Sequence, residues 1–385
     1  RFHSSVNTEK NRPESTPRNT ANNPLTHSVN NYSMDSKQHI QINGRLIGDR
    51  QPTYIIAELS ANHHQSFDRA VDIIREAHRA GADAVKLQTY TADTLTLDSH
   101  QSHFKIQSGT VWDGRSFYEL YQKASTPWEW HAELKSIAND LGMDLFSSPF
   151  DATAVEFLET LDVPAYKIAS FEIIDVPLLR KVAATGRPVI VSTGLASLEE
   201  IEQAVQTLQN NGCNEVALLK CTSAYPAPPE SMNLKTLPDL ASRFNIPVGL
   251  SDHTLDHHSA ITSVALGGSI IEKHLTLSRT EEGPDSSFSL EPAEFAELVN
   301  AIRTTEKAMG DVNYGPTESD QNNLAFRRSL FAVQDIQPGE KFTHENVRSL
   351  RPGKGLEPVH LDKVLSATAS QQIPRGTPLD WHHVA

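Results

Sequence analysis

Ionisable and hydroxyl side chains in this chain recur at the ends of short, β-branched apolar runs. Lys86 and Gln88 stand two apart in Ala84–Thr89, and so on one face of a strand. Lys167 lies in Ala165–Ser170, and Glu272 and His274 alternate in Ser269–Thr276. Ser148, Ser170, Ser192 and Ser251 fall at the ends of four such runs, and His253 follows the last of them. An ammonium buried in a strand is costly unless paired. Two ammoniums with four hydroxyls around them suit a phosphate and a carboxylate; a lysine paired to a neighbouring carboxylate for structure is the plainer reading. His253 and His274 end consecutive runs. Two such imidazoles can share a divalent ion and leave positions for water and substrate. Each can equally be a satisfied rim histidine, since two ligands are fewer than most closed sites use. Glu58 and Glu172 could bind a sugar or move a proton, or neutralise Lys86 or Lys167. Asp285, in the loop Gly283-Pro284-Asp285-Ser286, either reaches substrate hydroxyls or makes a turn. His63 and His64 are near enough to the first run's end to reach the same place, and a surface role fits His64 equally well. Cys221 has no His–Asp pattern beside it, so a lining or packing role is expected. Trp112, Trp128 and Trp130 are expected to pack against helices.

These residues need a scaffold that brings many strand ends together. Strands are expected at Tyr54–Ser60, Ala84–Thr89, Asp144–Ser148, Ala165–Ser170, Pro188–Thr193, Val216–Thr222, Pro247–Ser251 and Ser269–Thr276. Helical periodicity follows most of them, at Phe67–Ala80, Pro127–Leu141, Ala152–Leu161, Leu198–Asn210, His257–Leu266 and Pro292–Met309. Asp151 and Ser197 read as N-caps, and Gly81, Gly142 and Gly267 as stops. Eight strands alternating with helices match a (β/α)8 barrel, whose chemistry sits at the C-terminal strand ends. An open doubly wound sheet lacks here the glycine-rich phosphate turn after its first strand. The expected organisation is a barrel over residues 50–312, a polar linker over 313–326 and a small β-rich module over 327–385.

The chain has 385 residues, a formal net charge of −14 and 38% hydrophobic residues. Residues 1–33 carry Arg1, Lys10, Arg12 and Arg18 against Glu9 and Glu14, so the remaining 352 residues carry −16. Too polar to offset its ordering entropy, that leader is expected to be a disordered N-terminal extension. An acidic body disfavours nucleic-acid and anionic-membrane partners, so an anionic ligand needs a local basic pocket. No apolar run reaches the ~18 residues of a membrane span. Two cysteines, Cys213 and Cys221, make neither a disulfide scaffold nor a zinc site, and a cytoplasmic setting is expected.

Several segments resemble the sialic acid synthase family: Ile56-Ala57-Glu58-Leu59-Ser60-Ala61-Asn62-His63, Gly81 to Thr89, Ser147-Ser148-Pro149-Phe150, Tyr166-Lys167-Ile168-Ala169-Ser170, Ser192-Thr193-Gly194, Gly249 to Thr254 and Glu272-Lys273-His274. Arg351-Pro352-Gly353-Lys354-Gly355 resembles that family's antifreeze-like (SAF) domain. The resemblance implies condensation of phosphoenolpyruvate with an N-acylated hexose to a nonulosonic acid. It implies phosphoenolpyruvate contacts at Lys86, Ser148, Lys167, Ser170, Ser192 and Ser251, and a manganese or magnesium ion on His253 and His274. It implies a sugar pocket at Glu58, Gln88, Glu172, Tyr225 and Asp285, with Arg351 reaching the barrel of a partner in a domain-swapped homodimer. Leu59-Ser60-Ala61-Asn62, His64-Gln65 and Ser286 to Pro292 resemble the pseudaminate-forming branch, for which 2,4-diacetamido-2,4,6-trideoxy-L-altrose is the expected sugar. N-acetylneuraminate or legionaminate synthesis is the alternative, and a non-catalytic sugar-binding barrel the reading from another class.

Overall fold

A computed structural model describes residues 39–385. The expected disorder of residues 1–33 lies outside them. The described chain falls into two compact units, divided between Met309 and Gly310.

The first unit is a (β/α)8 barrel. Its strands are β3 (Tyr54–Glu58), β4 (Ala84–Thr89), β5 (Asp144–Pro149), β6 (Tyr166–Ile168), β7 (Val189–Ser192), β8 (Val216–Cys221), β9 (Val248–Asp252) and β10 (Ile270–His274). All pair in parallel, and β10 closes on β3. Around them run α1 (Phe67–Ala80), α2 (Ala92–Leu95), α3 (Phe117–Ala124), α4 (His131–Asp140), α5 (Ala152–Thr160), α6 (Val176–Ala183), α7 (Leu198–Asn210), α8 (Thr236–Phe244), α9 (His258–Ala265) and α10 (Pro292–Met309). Strands buried on both faces read as continuous apolar runs, which is why Val189–Ser192 carries Val, Ile and Val. Capping is local: the Ser66 hydroxyl accepts from Arg69 N–H, and Gly81 ends α1 at φ +87°.

Four features depart from the sequence expectation. A hairpin, β1 (Ile40–Ile42) and β2 (Arg45–Ile47), precedes the barrel. Its Ile40, Ile42 and Ile47 pack with Tyr54, Phe146 and Tyr166. Burying each isoleucine is worth about 1.5–3 kcal/mol. Three-residue strands are too short for periodicity to reveal. Second, β6 stops at Ile168, and Ser170–Glu172 is a 3-10 turn rather than a strand end. Third, α3, α6 and α8 had no counterpart in the expected helices; α6 is announced by Asp175, which caps Leu178 N–H, followed by Pro177. Fourth, the helix expected from Pro127 begins as a 3-10 turn, Trp128–Trp130, before α4.

The second unit holds an antiparallel pair, β11 (Ser329–Ala332) and β12 (Val347–Leu350), and one short helix, α11 (Leu361–Leu365). Its core is Leu330, Ile336, Phe342, Val347, Val364, Ile373 and Leu379. The segment expected as a plain linker contains a 3-10 turn over Glu318–Phe326. Gly355 is required by packing: a Cβ there would lie 2.8–2.9 Å from backbone atoms of Leu330 and Leu379.

Candidate active site

Parallel register decides which side chains meet at the barrel's C-terminal mouth. Glu58 pairs with Lys86, Gln88 with Ser148, and Glu272 with Ser251. In-register neighbours point to the same side, so these six converge. Lys86 Nζ lies 2.9 Å from Glu58 Oε2, 3.6 Å from Glu272 Oε1 and 3.2 Å from Ser148 Oγ. Lys167 Nζ donates to Ser192 Oγ at 2.7 Å and lies 3.6 Å from the same Glu272 oxygen. Ser251 Oγ donates to that oxygen as well, at 3.2 Å. Gln88 Nε2 donates to Glu58 Oε1 at 2.8 Å. Both lysines and both glutamates are buried.

Glu272 therefore stands between two ammoniums. Burial acts to raise its pKa, but Lys167 and Lys86 together hold it below the ordinary glutamate range. Burial pushes Glu58 up to about 7 against the pull of Lys86, and burial holds Lys167 below the ordinary lysine value. Glu272 alternates with His274 in one strand, which is the available signal for it; of the two carboxylates that could neutralise the lysines, Glu58 does so at Lys86, and the reading is corrected for Glu172. Glu58 pairs with Lys86, Glu272 serves both lysines, and Glu172 makes no ion pair among the described residues. The Glu172 carboxyl, half-buried with Oε2 lacking a hydrogen-bond partner among the described residues, is pushed by burial to about 7.

Ser170 opens the 3-10 turn after β6, and its hydroxyl accepts from Gly194 N–H at 3.1 Å. A Cβ at Gly194 would meet Ser223 Oγ at 2.3 Å and Ser170 Oγ at 2.6 Å, so only glycine lets these loops approach.

His253 and His274 face each other with ring centroids 5.4 Å apart. His253 Nδ1 donates to the Thr222 carbonyl at 2.9 Å and so carries a proton; in the neutral ring Nε2 is the atom free to ligate. His274 Nδ1 is buried without a partner among the described residues, and burial favours the neutral form of this imidazole, the form that can ligate. The donor set fits one divalent ion on two imidazoles. Among the described residues no group of three or more His, Cys, Asp or Glu gathers as a closed cage, so such an ion would keep open positions.

The wall is aromatic. Tyr225 packs on His253 at 4.4 Å and on Phe288 at 5.0 Å, and Phe288 on His274 at 5.2 Å. Trp112 packs on Tyr225 at 5.5 Å and donates Nε1–H to the Pro284 carbonyl at 2.9 Å. The expected helix-packing role is thus corrected for Trp112, which belongs to the mouth. Trp128 and Trp130 do pack structurally, against Phe157 and Phe67. Asp285 is more than a turn residue: its Oδ2 accepts from the Ser60 hydroxyl and, at 3.2 Å, from Ala61 N–H. His64 lies 3.2 Å from Ser286 Oγ at the rim. His63 does not reach it; that ring is buried behind the strand, on Thr126 and Trp130. Cys221 is buried 3.9 Å from His253 Nδ1. Arg351 lies exposed in the second unit, directly after β12.

Comparison with known proteins follows the same division. The NeuB family model matches residues 73–314, and the SAF domain model residues 327–385. The pseudaminic acid synthase of Campylobacter jejuni strain 81-176 is 45% identical over 85% of this chain and 95% of its own. That of Helicobacter pylori is 44% identical over 86% and 97%. Among solved structures, the N-acetylneuraminic acid synthetase of Leptospira borgpetersenii, in complex with citrate, superposes with a TM-score of 0.66 at 32% identity. It covers 75% of this chain and 95% of its own.

Proposed function

The chain belongs to the NeuB family, and from that premise we propose that it is a pseudaminic acid synthase, a transferase condensing phosphoenolpyruvate with 2,4-diacetamido-2,4,6-trideoxy-L-altrose. The observation that carries the reading is the convergence of Lys86 and Lys167 on one buried carboxylate, ringed by Ser148, Ser192 and Ser251. The two ammoniums share Glu272, and Lys86 also pairs with Glu58; a more highly charged anion would compete with these carboxylates for both lysines. In a buried mouth such pairs act far more strongly than in bulk water.

The balance of the reaction is simple. The enol carbon of phosphoenolpyruvate attacks the aldehyde carbon of the open-chain sugar and water adds to the resulting cationic C2. One proton of that water ends on the former aldehyde oxygen, and the other leaves with phosphate as the bond between C2 and the phosphate oxygen breaks and C2 becomes a ketone. Lys86 and Lys167 bind and neutralise the phosphate and carboxylate, with the hydroxyls of Ser148, Ser170, Ser192 and Ser251 as hydrogen-bond partners. Gln88 and Glu58, with Tyr225 and Asp285 beside them, hold the sugar. Glu58 and Glu172, both pushed to about 7, are placed to exchange a proton near neutral pH. His253 and His274 would hold a divalent ion, Mn²⁺ or Mg²⁺, which would supply Lewis acidity for polarising a carbonyl. The aromatic wall of Tyr225, Phe288 and Trp112 excludes water from the reacting atoms.

The same proposal includes a cytoplasmic homodimer that uses Arg351. No described helix is long and apolar enough to cross a membrane. Mass spectrometry of the product formed from phosphoenolpyruvate and a panel of N-acylated hexoses tests the activity. Pseudaminate with one equivalent of phosphate is expected. Turnover confined to a different hexose would overturn the sugar assignment, and no turnover with any of them would overturn the synthase reading.

A further inference from the structure

Asp252 and Lys273 are charged, wholly buried, and outside the machinery described so far. They are register partners on β9 and β10. His253 and His274 are the next residues of those chains, so alternation turns the ion pair to the outer face of the barrel and the imidazoles to the inner. Lys273 Nζ has four acceptors within reach: Asp252 Oδ2 at 2.7 Å, the Thr254 carbonyl at 2.5 Å, the Asp256 carbonyl at 2.9 Å and Thr254 Oγ1 at 3.1 Å. The second Asp252 oxygen accepts Thr254 N–H at 2.9 Å. One ammonium thus ties down the residues on both sides of His253 while sitting on the residue before His274. The two histidine carbonyls are also fixed, by N–H groups of Ala227 and Leu290, each at 2.9 Å.

A buried ion pair is weak evidence of stabilisation, because its desolvation cost offsets much of its attraction. A cation whose N–H donors are taken up by the backbone and side chains flanking one imidazole has a more specific use. We infer that Asp252 and Lys273 are positioning residues for the His253–His274 pair: they set the spacing of the two imidazoles, and so the affinity for a divalent ion, without touching ion or substrate. This rests on the metal reading of the two histidines proposed above. Partners behind metal ligands commonly change metal affinity by about 10–100-fold when removed.

The test uses the full chain, stripped with EDTA and titrated with Mn²⁺, with free Mn²⁺ read by electron paramagnetic resonance. Asp252→Asn/Lys273→Met removes both charges together and leaves neither buried alone; Asp252→Asn, which keeps the shape, carries the same readout if the double variant does not fold. Circular dichroism establishes folding, and His274→Ala serves as the ligand control. The expected result is a folded variant whose Mn²⁺ dissociation constant rises at least tenfold, with kcat recovering at saturating Mn²⁺. A folded variant with wild-type Mn²⁺ affinity, however low its melting temperature, would overturn the positioning role alone. Wild-type protein that binds no Mn²⁺, or binding that His274→Ala leaves unchanged, would overturn the metal reading and this inference with it.

Discussion

The inner and outer faces of the same strand ends are built on opposite principles. On the outer face polar groups close among themselves. Thr89 Oγ1 lies 2.6 Å from Ser147 Oγ and 2.9 Å from His131 Nε2, while His131 Nδ1 meets the Pro127 carbonyl at 3.2 Å. One residue along each strand, the inner face is left incomplete. Among the described residues, Oε2 of Glu272 and Nδ1 of His274 have no hydrogen-bond partner, nor does Oε2 of Glu172 just beyond β6. Two lysines also share one carboxylate oxygen there. Unsatisfied buried polar atoms cost stability. A chain able to satisfy the outer face so fully keeps the inner one open for a ligand that completes it. The comparison predicts that inner-face substitutions cost activity and outer-face ones cost stability.

The largest effect is expected for Lys167→Met or Lys86→Met, which remove charge aimed at the phosphate and carboxylate. Steady-state kcat/KM for phosphoenolpyruvate should fall at least ~10²–10³-fold, as for the loss of a preorganised electrostatic group. Next comes Gly194→Ala. The added Cβ displaces the Ser170 and Ser223 hydroxyls, and displacement on this scale costs about 10²-fold in turnover. Thr89→Val breaks the outer chain between His131 and Ser147. Chemical denaturation should show a loss of about 1–3 kcal/mol, while kcat/KM stays within the ~10-fold that 1.4 kcal/mol represents. A reversed pattern, with activity lost and stability kept, would break the division between the faces.

The smallest effect concerns pH. Burial raises Glu172 to about 7 from an ordinary value of 4.5. Between those values the folded state keeps a proton that the unfolded chain has released. Its contribution to stability is therefore full below about pH 4.5 and lost as pH rises through about 7. Glu172→Gln should flatten this part of the stability–pH curve, as read from melting temperatures across that range.

The barrel was legible because doubly buried strands write themselves as β-branched runs, and the mouth because lysines, histidines and serines at their ends are expensive to place anywhere else. What was illegible follows from the same physics. The β1–β2 hairpin is too short to show a period, and α3, α6 and α8 are eight or nine residues each. Glu272 was readable on the face of His274, yet its place between two lysines from β4 and β6 depends on barrel closure. Trp112 reaches the mouth from a long loop after β4 whose path no local pattern encodes. His63 was misplaced because the backbone turns at Ser60, where φ is +52°, and the side chain ends behind the strand.

The central claim is that the incomplete inner face is a phosphoenolpyruvate site. Calorimetric titration of phosphoenolpyruvate into the full chain and into Lys167→Met tests it most directly. The account predicts one bound molecule per barrel in the parent and a loss of about 2–5 kcal/mol in the variant, the cost of truncating a buried charge partner. Equal affinity in the two proteins would contradict it.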